Sequence, residues 1–400
     1  MSVSGSRVAI VGGSIAGCAA AIALSRVGCE VVVYERSRGD LLGRGMGIGI
    51  PPVAFEELVS EGYLDRELPG YHNDHRVWLT NGPEMGRIRW RQPFPALFTS
   101  WGVVWRALRS RVPEGTYRLS SSVTRIEPDA NGVLVATEDG WPERFDAVVG
   151  ADGYRSLARG LVDAASQPVY AGYVVWRGNL QLDGLSALDE QGMVTACYPG
   201  GHAVFYPIVG VNGDARVNWV MYGPCQDRYG FSDPRSLPPG TVPTELLDTM
   251  ERTVGEHLPP RLASIVRATG VDDVSIQPLY DCTSETYISG RMLLAGDAGT
   301  VVRPHTGGGA MKAMQDCLAL QRACERFDSW TEVLSGYDEQ RRPACNALVE
   351  LGQRLGRPLV THSPAWETME ADDFQAWYSA TQAGARNPYD PVTVSSVVNR

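Results

Sequence analysis

The sequence lacks a basic excess: 36 lysines and arginines face 46 aspartates and glutamates, a formal net charge of -10, and no basic stripe interrupts the balance. A nucleic-acid binder carries such a stripe, and an anionic membrane repels an acidic face, so neither partner is expected. No apolar run approaches the roughly eighteen residues that cross a bilayer. No charged stretch leads into an apolar segment with a cleavage site, so no signal peptide is expected and a cytoplasmic setting is. The eight cysteines (18, 29, 197, 225, 282, 317, 324, 345) form no Cys-x-x-Cys, which predicts buried thiols rather than disulfides or zinc ligands. His72 and His75 have the spacing of a ligand pair, but they stand in a polar stretch that predicts a surface loop without a cysteine nearby, so no metal site is expected. There is no internal repeat. The absences together leave a small-molecule partner.

What is present is an ordinary globular composition, 44% apolar and 20% charged, with 44 glycines. Residues 7–35 read as one βαβ unit. Arg7–Val11 is a buried strand, Ile15–Val27 an Ala- and Ile-rich helix stopped by Gly28, and Glu30–Tyr34 a β-branched parallel strand. From Gly39 to Pro52 the chain is too glycine-rich to pack by itself and suits backbone laid against a ligand; Gly49 is a candidate contact there. A short helix is expected at 54–60. Residues 74–96 and 170–280 alternate apolar and polar, which predicts an antiparallel sheet. Further strands are expected at 123–127, 133–137, 147–150 and 292–295, a surface loop at 234–243, and helices from Gly309 through 311–356. The fold class is α/β mixed with α+β. A Rossmann-like domain with a parallel sheet (1–72, 97–165 and 277–352) is interrupted by a β-rich domain (73–96 and 166–276) and followed by a C-terminal helix and tail (353–400).

Between the first strand and helix stands Gly12-Gly13-Ser14-Ile15-Ala16-Gly17. Gly12 permits a tight turn, the small Ser14 lets a pyrophosphate approach the backbone, and Gly17 lets the helix pack on the sheet. The helix start offers N–H groups and a positive dipole end to phosphates. Glu35, followed by Arg36, ends the next strand, where a carboxylate accepts from ribose hydroxyls. This pattern points to a dinucleotide without distinguishing NAD from FAD.

Two later motifs follow strands in the same way: Gly150-Ala151-Asp152-Gly153-Tyr154-Arg155-Ser156, and Ala295-Gly296-Asp297-Ala298 with Gly307-Gly308-Gly309 ten residues on. Asp297 is placed to hold a sugar or ribityl hydroxyl, and the glycines before a helix to face a developing anion.

In this order the motifs resemble the flavoprotein aromatic hydroxylases, the single-component FAD monooxygenases of the para-hydroxybenzoate hydroxylase type. Tyr170–Gly178, His202, Tyr206-Pro207-Ile208 and Arg303-Pro304-His305 resemble most the 2,6-dihydroxypyridine 3-hydroxylase subgroup. The resemblance implies that Gly12, Gly13, Ser14, Ile15, Ala16, Gly17, Glu35, Arg36, Gly49, Arg106, Val123, Asp152, Asp297, Gly307, Gly308 and Gly309 hold FAD, with NADH or NADPH as electron donor. It departs from the family at Trp105, where the family has an arginine touching the nucleotide, and at Met311, often an asparagine. Arg106 lies one residue from the family's arginine, about 100° around a helix. Lys312 reads as a helix-surface or N-terminal-turn charge, with contact to the flavin edge as the alternative.

The implied reaction uses NAD(P)H and O2 through a C4a-hydroperoxyflavin to hydroxylate an electron-rich phenol or hydroxypyridine. His305, Pro304, Tyr206 and His202 are candidate catalytic residues. Trp176, Tyr206 and His305 are candidate substrate contacts, with core packing as the competing role of each. His305 could polarise or deprotonate a ring hydroxyl. Epoxidation, Baeyer–Villiger insertion or tailoring of a natural product would use the same flavin chemistry; a nicotinamide-dependent dehydrogenase and a non-catalytic flavin binder are further alternatives. The oligomeric state, a homodimer or otherwise, is open.

Overall fold

The computed structural model describes residues 2–43, 46–181, 192–225 and 227–383; Arg44, Gly45 and the tail from 384 fall outside them. Among the described residues the strands form three sheets. In the first, Arg7–Val11 pairs in parallel with Glu30–Tyr34 on one side and Ala147–Gly150 on the other, and Ala147–Gly150 pairs in parallel with Met292–Leu294. Apart from Arg7 and Glu30, every residue of these strands is buried. That is the continuous apolar run required of strands covered on both faces. Helix Ile15–Arg26, buried throughout from Ile15 to Leu24, covers one face together with helix Gly309–Arg326. The small sheet Val123–Asp129, Gly132–Thr137, Glu143–Phe145 packs on the other.

The approach of the first helix explains two glycines. Gly12 has φ of 101°, and a side chain there would lie 2.3 Å from the Ala151 carbonyl oxygen. A Cβ on Gly17 would sit 1.8 Å from the Gly12 oxygen, so the helix start touches the turn only because that atom is missing.

The largest sheet is eight-stranded and receives both expected β-rich segments. Its pairings are antiparallel except for Tyr71–Thr80, which runs parallel to Met193–Tyr198. Two parts differ from the sequence reading. His72 and His75 belong to the strand Tyr71–Thr80 rather than to a loop, because Asn73 between them turns inward to accept from the Met193 N–H and donate to the Phe94 carbonyl. Residues 170–280 also contain the helices Thr244–His257 and Pro260–Ala268, whose apolar side chains Leu246, Met250 and Val254 recur every fourth residue. The glycine-rich run contributes the edge strand Gly47–Ile50, paired with the chain just before residue 101.

Alternation divides this sheet. Val174, Trp176, Trp219, Met221 and Phe205 pack on the two helices just named. Tyr173, Val175, Val204, Val220, Tyr222 and Trp78 face the long helix Trp330–Gly356 and the residues after it. Trp176, a candidate substrate contact by sequence, therefore lies on the helix-covered face, 2% exposed. Its neighbour Arg177 takes the other face. All eight cysteines are free and, Cys225 apart, buried. No helix among the described residues is long and apolar enough to cross a membrane, and no group of three or more metal-binding side chains occurs among them.

Replacing Trp176 with alanine is expected to cost about 3–5 kcal/mol of folding stability, read by chemical denaturation. Ring-ligand affinity of the folded fraction should stay unchanged; a selective loss of ligand affinity would return Trp176 to the site.

Candidate active site

A cavity of about 1230 Å³ lies between the parallel sheet and the large sheet. One wall is made by chain turns at the carboxyl ends of the parallel strands: Gly12, Ser14, Ile15 and Ala16, then Glu35 and Arg36, then Ala151 to Arg155, then Gly296 and Asp297. Val123, Gly49, Pro304, Gly307 and Gly309 also border it.

The turns are held from behind. The Gly13 N–H donates to Glu35 (2.9 Å), while its carbonyl accepts from Trp105 Nε1 (2.9 Å) and the Tyr117 hydroxyl (2.8 Å). Trp105 thus buttresses the turn where the family has a nucleotide-binding arginine. Glu35 also accepts from the N–H and hydroxyl of Ser37. Gly13 and Gly17 support the turn without bordering the cavity. Arg106 points elsewhere: it donates to the Val211 carbonyl and does not line the cavity. Ser14, at the helix N-cap, makes no side-chain capping bond, so its hydroxyl is left to the cavity side.

Asp152 accepts from the Ser156 hydroxyl (2.5 Å) and the Leu157 N–H (2.7 Å), holding the start of the next helix. Burial still raises its pKa. Asp297 contrasts with it: no described residue bonds its carboxylate, which faces the cavity. Burial raises its pKa, opposed by the charges of Lys312 and Arg159. The Gly296 backbone before it is clamped on both sides. Its N–H donates to Asp316 (2.9 Å) and its carbonyl accepts from Lys312 Nζ (2.5 Å). Arg341 completes the cluster at 2.7 Å from Asp316. Lys312 is 1% exposed, which corrects the surface charge read from sequence. Met311 turns into the core. At the second helix start, Gly307 N–H donates to Pro304 and Gly308 N–H to the Thr306 hydroxyl. Gly309 and Ala310, in the first turn, border the cavity, where helix N–H groups have no intrahelical partner.

The opposite wall is the face of the large sheet, with Arg76, Arg177, His202, Tyr206 and Tyr222, closed by His305. His202 stacks on Tyr222 with ring centroids 4.4 Å apart, and His305 lies 4.6 Å from Tyr222. His305 ends a chain of bonds. Asp281 takes Arg303 Nε at 2.7 Å, Arg303 Nη1 donates to the Tyr173 hydroxyl (3.0 Å), and that hydroxyl lies 2.7 Å from His305 Nε2. Tyr173 accepts from Arg303, and its hydroxyl shares one further hydrogen bond with His305 Nε2, whose donor depends on the imidazole tautomer. His305 Nδ1 has no partner and is sealed from solvent. The residue borders the cavity. Its pKa is driven well below the ordinary value, by burial first and then by His202, Arg303 and Arg76. Burial and Arg76 bring His202 to about 3. Arg76, Arg177, Tyr173, Tyr222 and the Lys312–Asp316–Arg341 cluster were not singled out as site residues by sequence; only strand phase could have marked the first two.

Residues 106–351 match the family described as an FAD binding domain, and residues 10–44 match a NAD(P)-binding Rossmann-like domain. The 2,6-dihydroxypyridine 3-monooxygenase of Paenarthrobacter nicotinovorans is 31% identical over 338 residues, 80% of this chain and 83% of that one. A 3-amino-4-hydroxybenzoate 2-monooxygenase of Streptomyces platensis is 29% identical, covering 95% and 98%. The chain is a member of the flavin-dependent aromatic hydroxylase family. This FAD-dependent monooxygenase shares its fold with the solved 2,6-dihydroxypyridine-3-hydroxylase from Arthrobacter nicotinovorans: TM-score 0.80 at 24% identity over 92% of this chain and 96% of that one. Its cofactor is FAD, and NAD(P)H is the electron donor. The hydroxylase cavity fits the cofactor on its own terms: two helix starts, an uncapped serine and an unbonded carboxylate face the same space.

The two buried histidines give the hydroxylase a testable pH response. Their folded pKa values lie below the unfolded value of 6.5, so on acidification the unfolded chain takes up protons first. Stability is therefore lost as pH falls from 6.5 towards about 3. Carboxylates with lowered values, such as Glu143 at about 2, contribute only below their unfolded value of 4.5. Thermal melts between about pH 7 and pH 5 should show falling Tm, with a flatter slope in His202→Asn. An equal slope in the variant would contradict the assignment of His202.

Proposed function

We propose that this monooxygenase hydroxylates a hydroxylated aromatic or heteroaromatic ring held against the large-sheet wall. The observation that carries this reading is the continuity of one cavity from the strand-end turns to His202, Tyr206 and His305 on the opposite wall. Both relatives named above are named for rings bearing hydroxyl groups. Gly12, Ser14 and Ile15, with the first helix start, would hold the pyrophosphate of FAD; Asp297 its ribityl chain; Gly309 and Ala310 an electron-rich ring edge. When bound and reduced by NAD(P)H, FAD would supply the activation of O2, one oxygen atom passing to the ring and the other leaving as water. His305, held by the Asp281–Arg303–Tyr173 chain, would meet the ring and orient it. Tyr206, Tyr222, Phe98 and Leu355 give the space an aromatic and apolar lining that excludes water. In this division residues 1–72, 97–165 and 277–352 carry the cofactor, and 73–96 with 166–276 wall the substrate.

The purified protein should be yellow, and hydroxylated rings should stimulate NAD(P)H consumption with matching hydroxylated product. Asp297→Ala should weaken FAD binding by about tenfold or more, read from flavin retained on dialysis. A protein that takes up no FAD, or one fully coupled with an olefin or ketone and stimulated by no hydroxylated ring, overturns the proposal.

A further inference from the structure

The helix Gly309–Arg326 starts against the usual preference of helix ends. Its first turn holds no acid, and its N-cap, Gly308, makes no side-chain cap, so nothing in that turn answers the positive pole. The fourth residue of the helix is Lys312, whose own N–H bonds the Gly308 carbonyl (2.7 Å). A cation there adds to the dipole instead of opposing it. Lys312 is also 1% exposed, so solvent screens its charge poorly.

The neighbouring groups do not cancel it. Asp316 lies 3.7 Å from Lys312 Nζ, but the same carboxylate takes Arg341 at 2.7 Å. The ammonium donates to an uncharged acceptor, the Gly296 carbonyl, at 2.5 Å. Arg159 brings another cation to this turn, donating to the carbonyls of Asp297 and Ala298. Around residues 296–298, three buried cations thus meet two carboxylates, Asp316 and Asp297. A surplus of buried positive charge is a net cost to the fold. That cost falls when an anion arrives. Gly296, Asp297, Gly309, Ala310 and Ala313 all border the cavity, which puts the surplus directly behind its wall.

We infer that Lys312 sets the redox balance of bound FAD, its buried surplus charge favouring the reduced cofactor over the oxidised one. This rests on the reading that the first helical turn faces the electron-rich ring edge of FAD, and it goes beyond that reading. NAD(P)H gives up a hydride, two electrons with one proton, and leaves as NAD(P)+. FAD takes the hydride and becomes FADH−, so the ring carries one negative charge that the oxidised form lacks. A fixed cation behind the wall favours that form and needs no rearrangement when the charge appears. Lys312 does not border the cavity, so it is a positioning residue that acts through the Gly296 turn and the helix start.

The test is the midpoint potential of the FAD-loaded protein, measured by equilibration with a reference dye, together with titration of the flavin-free protein with oxidised FAD. Two variants change the charge in opposite senses. Lys312→Gln keeps a donor for the Gly296 carbonyl and removes a positive charge. Asp316→Asn keeps an acceptor for the Gly296 N–H and removes a negative one. Lys312→Gln is expected to weaken reduced FAD about tenfold or more relative to oxidised FAD, which lowers the two-electron potential by about 30 mV. Asp316→Asn is expected to move the potential the other way.

A cluster with a merely structural role gives a different pattern: both variants lose FAD in both redox states, and the potential does not follow the sign of the charge. An unmoved potential in Lys312→Gln, or shifts of one sign in both variants, overturns the proposal. Should one variant not fold, the sign of the shift in the other decides. A parent protein that retains no FAD counts against the cofactor reading and takes this inference with it, whereas full FAD uptake with an unmoved potential counts against the role of Lys312 alone.

Discussion

Four parallel strands end side by side, and the site depends on that. The register aligns Val11 with Gly150 and with Tyr34, and Gly150 with Leu294. Each strand therefore releases its chain at the same edge: Gly12 after the first, Glu35 after the second, Asp152 after the third, Asp297 after the fourth. Ligands of open parallel sheets bind outside such carboxyl ends, where helix starts and turn backbones converge. Segments separated by more than a hundred residues become neighbours here through backbone pairing alone. One slipped residue in any pair would move its turn by about 3.3 Å and break the common wall.

Alignment alone would leave the turns loose, and the surrounding side chains remove that freedom. Gly13 is held through both its N–H and its carbonyl, and so is Gly296. The second clamp is electrostatically demanding. Asp316 is wholly buried, with Arg341 on its Oδ1 and Lys312 beside its Oδ2. Removing one member of such a cluster strands a charge, at a cost of about 3–5 kcal/mol. The Asp297 carboxylate gains from it in two ways: its backbone is immobilised, and the Lys312 charge opposes the neutralising effect of burial. The helix that presents its first turn to the cavity is the same helix that supplies Lys312 and Asp316.

The cofactor wall was legible in the sequence because its signals are local. Strand, turn, helix and acid follow one another within residues 7–35, and period and glycine placement suffice to read them. The sheet wall was legible only in part: His202, Tyr206 and His305 were named and border the cavity, while Arg76 and Arg177 were not named. Trp176 and Arg177 are adjacent, and alternation says only that they face opposite ways. Which of them meets the cavity depends on the helices Thr244–His257 and Pro260–Ala268, which take the Trp176 face. Those helices were hidden inside a stretch dominated by strand patterns. Trp105 shows the complementary limit. Its departure from the family's arginine reads as a lost contact, yet its indole carries the Gly13 carbonyl, a bond between residues ninety-two positions apart.

The division between the walls also constrains how a proton leaves the substrate. A base at the sheet wall would need an imidazole with an open lone pair and an ordinary affinity for protons. His305 has neither: Tyr173 occupies Nε2, Nδ1 is sealed from solvent, and burial beside positive charge suppresses protonation. His202 has a bare Nδ1, but Arg76 and burial make it a weak base. The same positive charges that disable the histidines as bases favour ionisation of a bound hydroxyl. The imidazoles of this wall thus leave it short of a base, and a ring hydroxyl held there would pass its proton to solvent or to a group outside the wall.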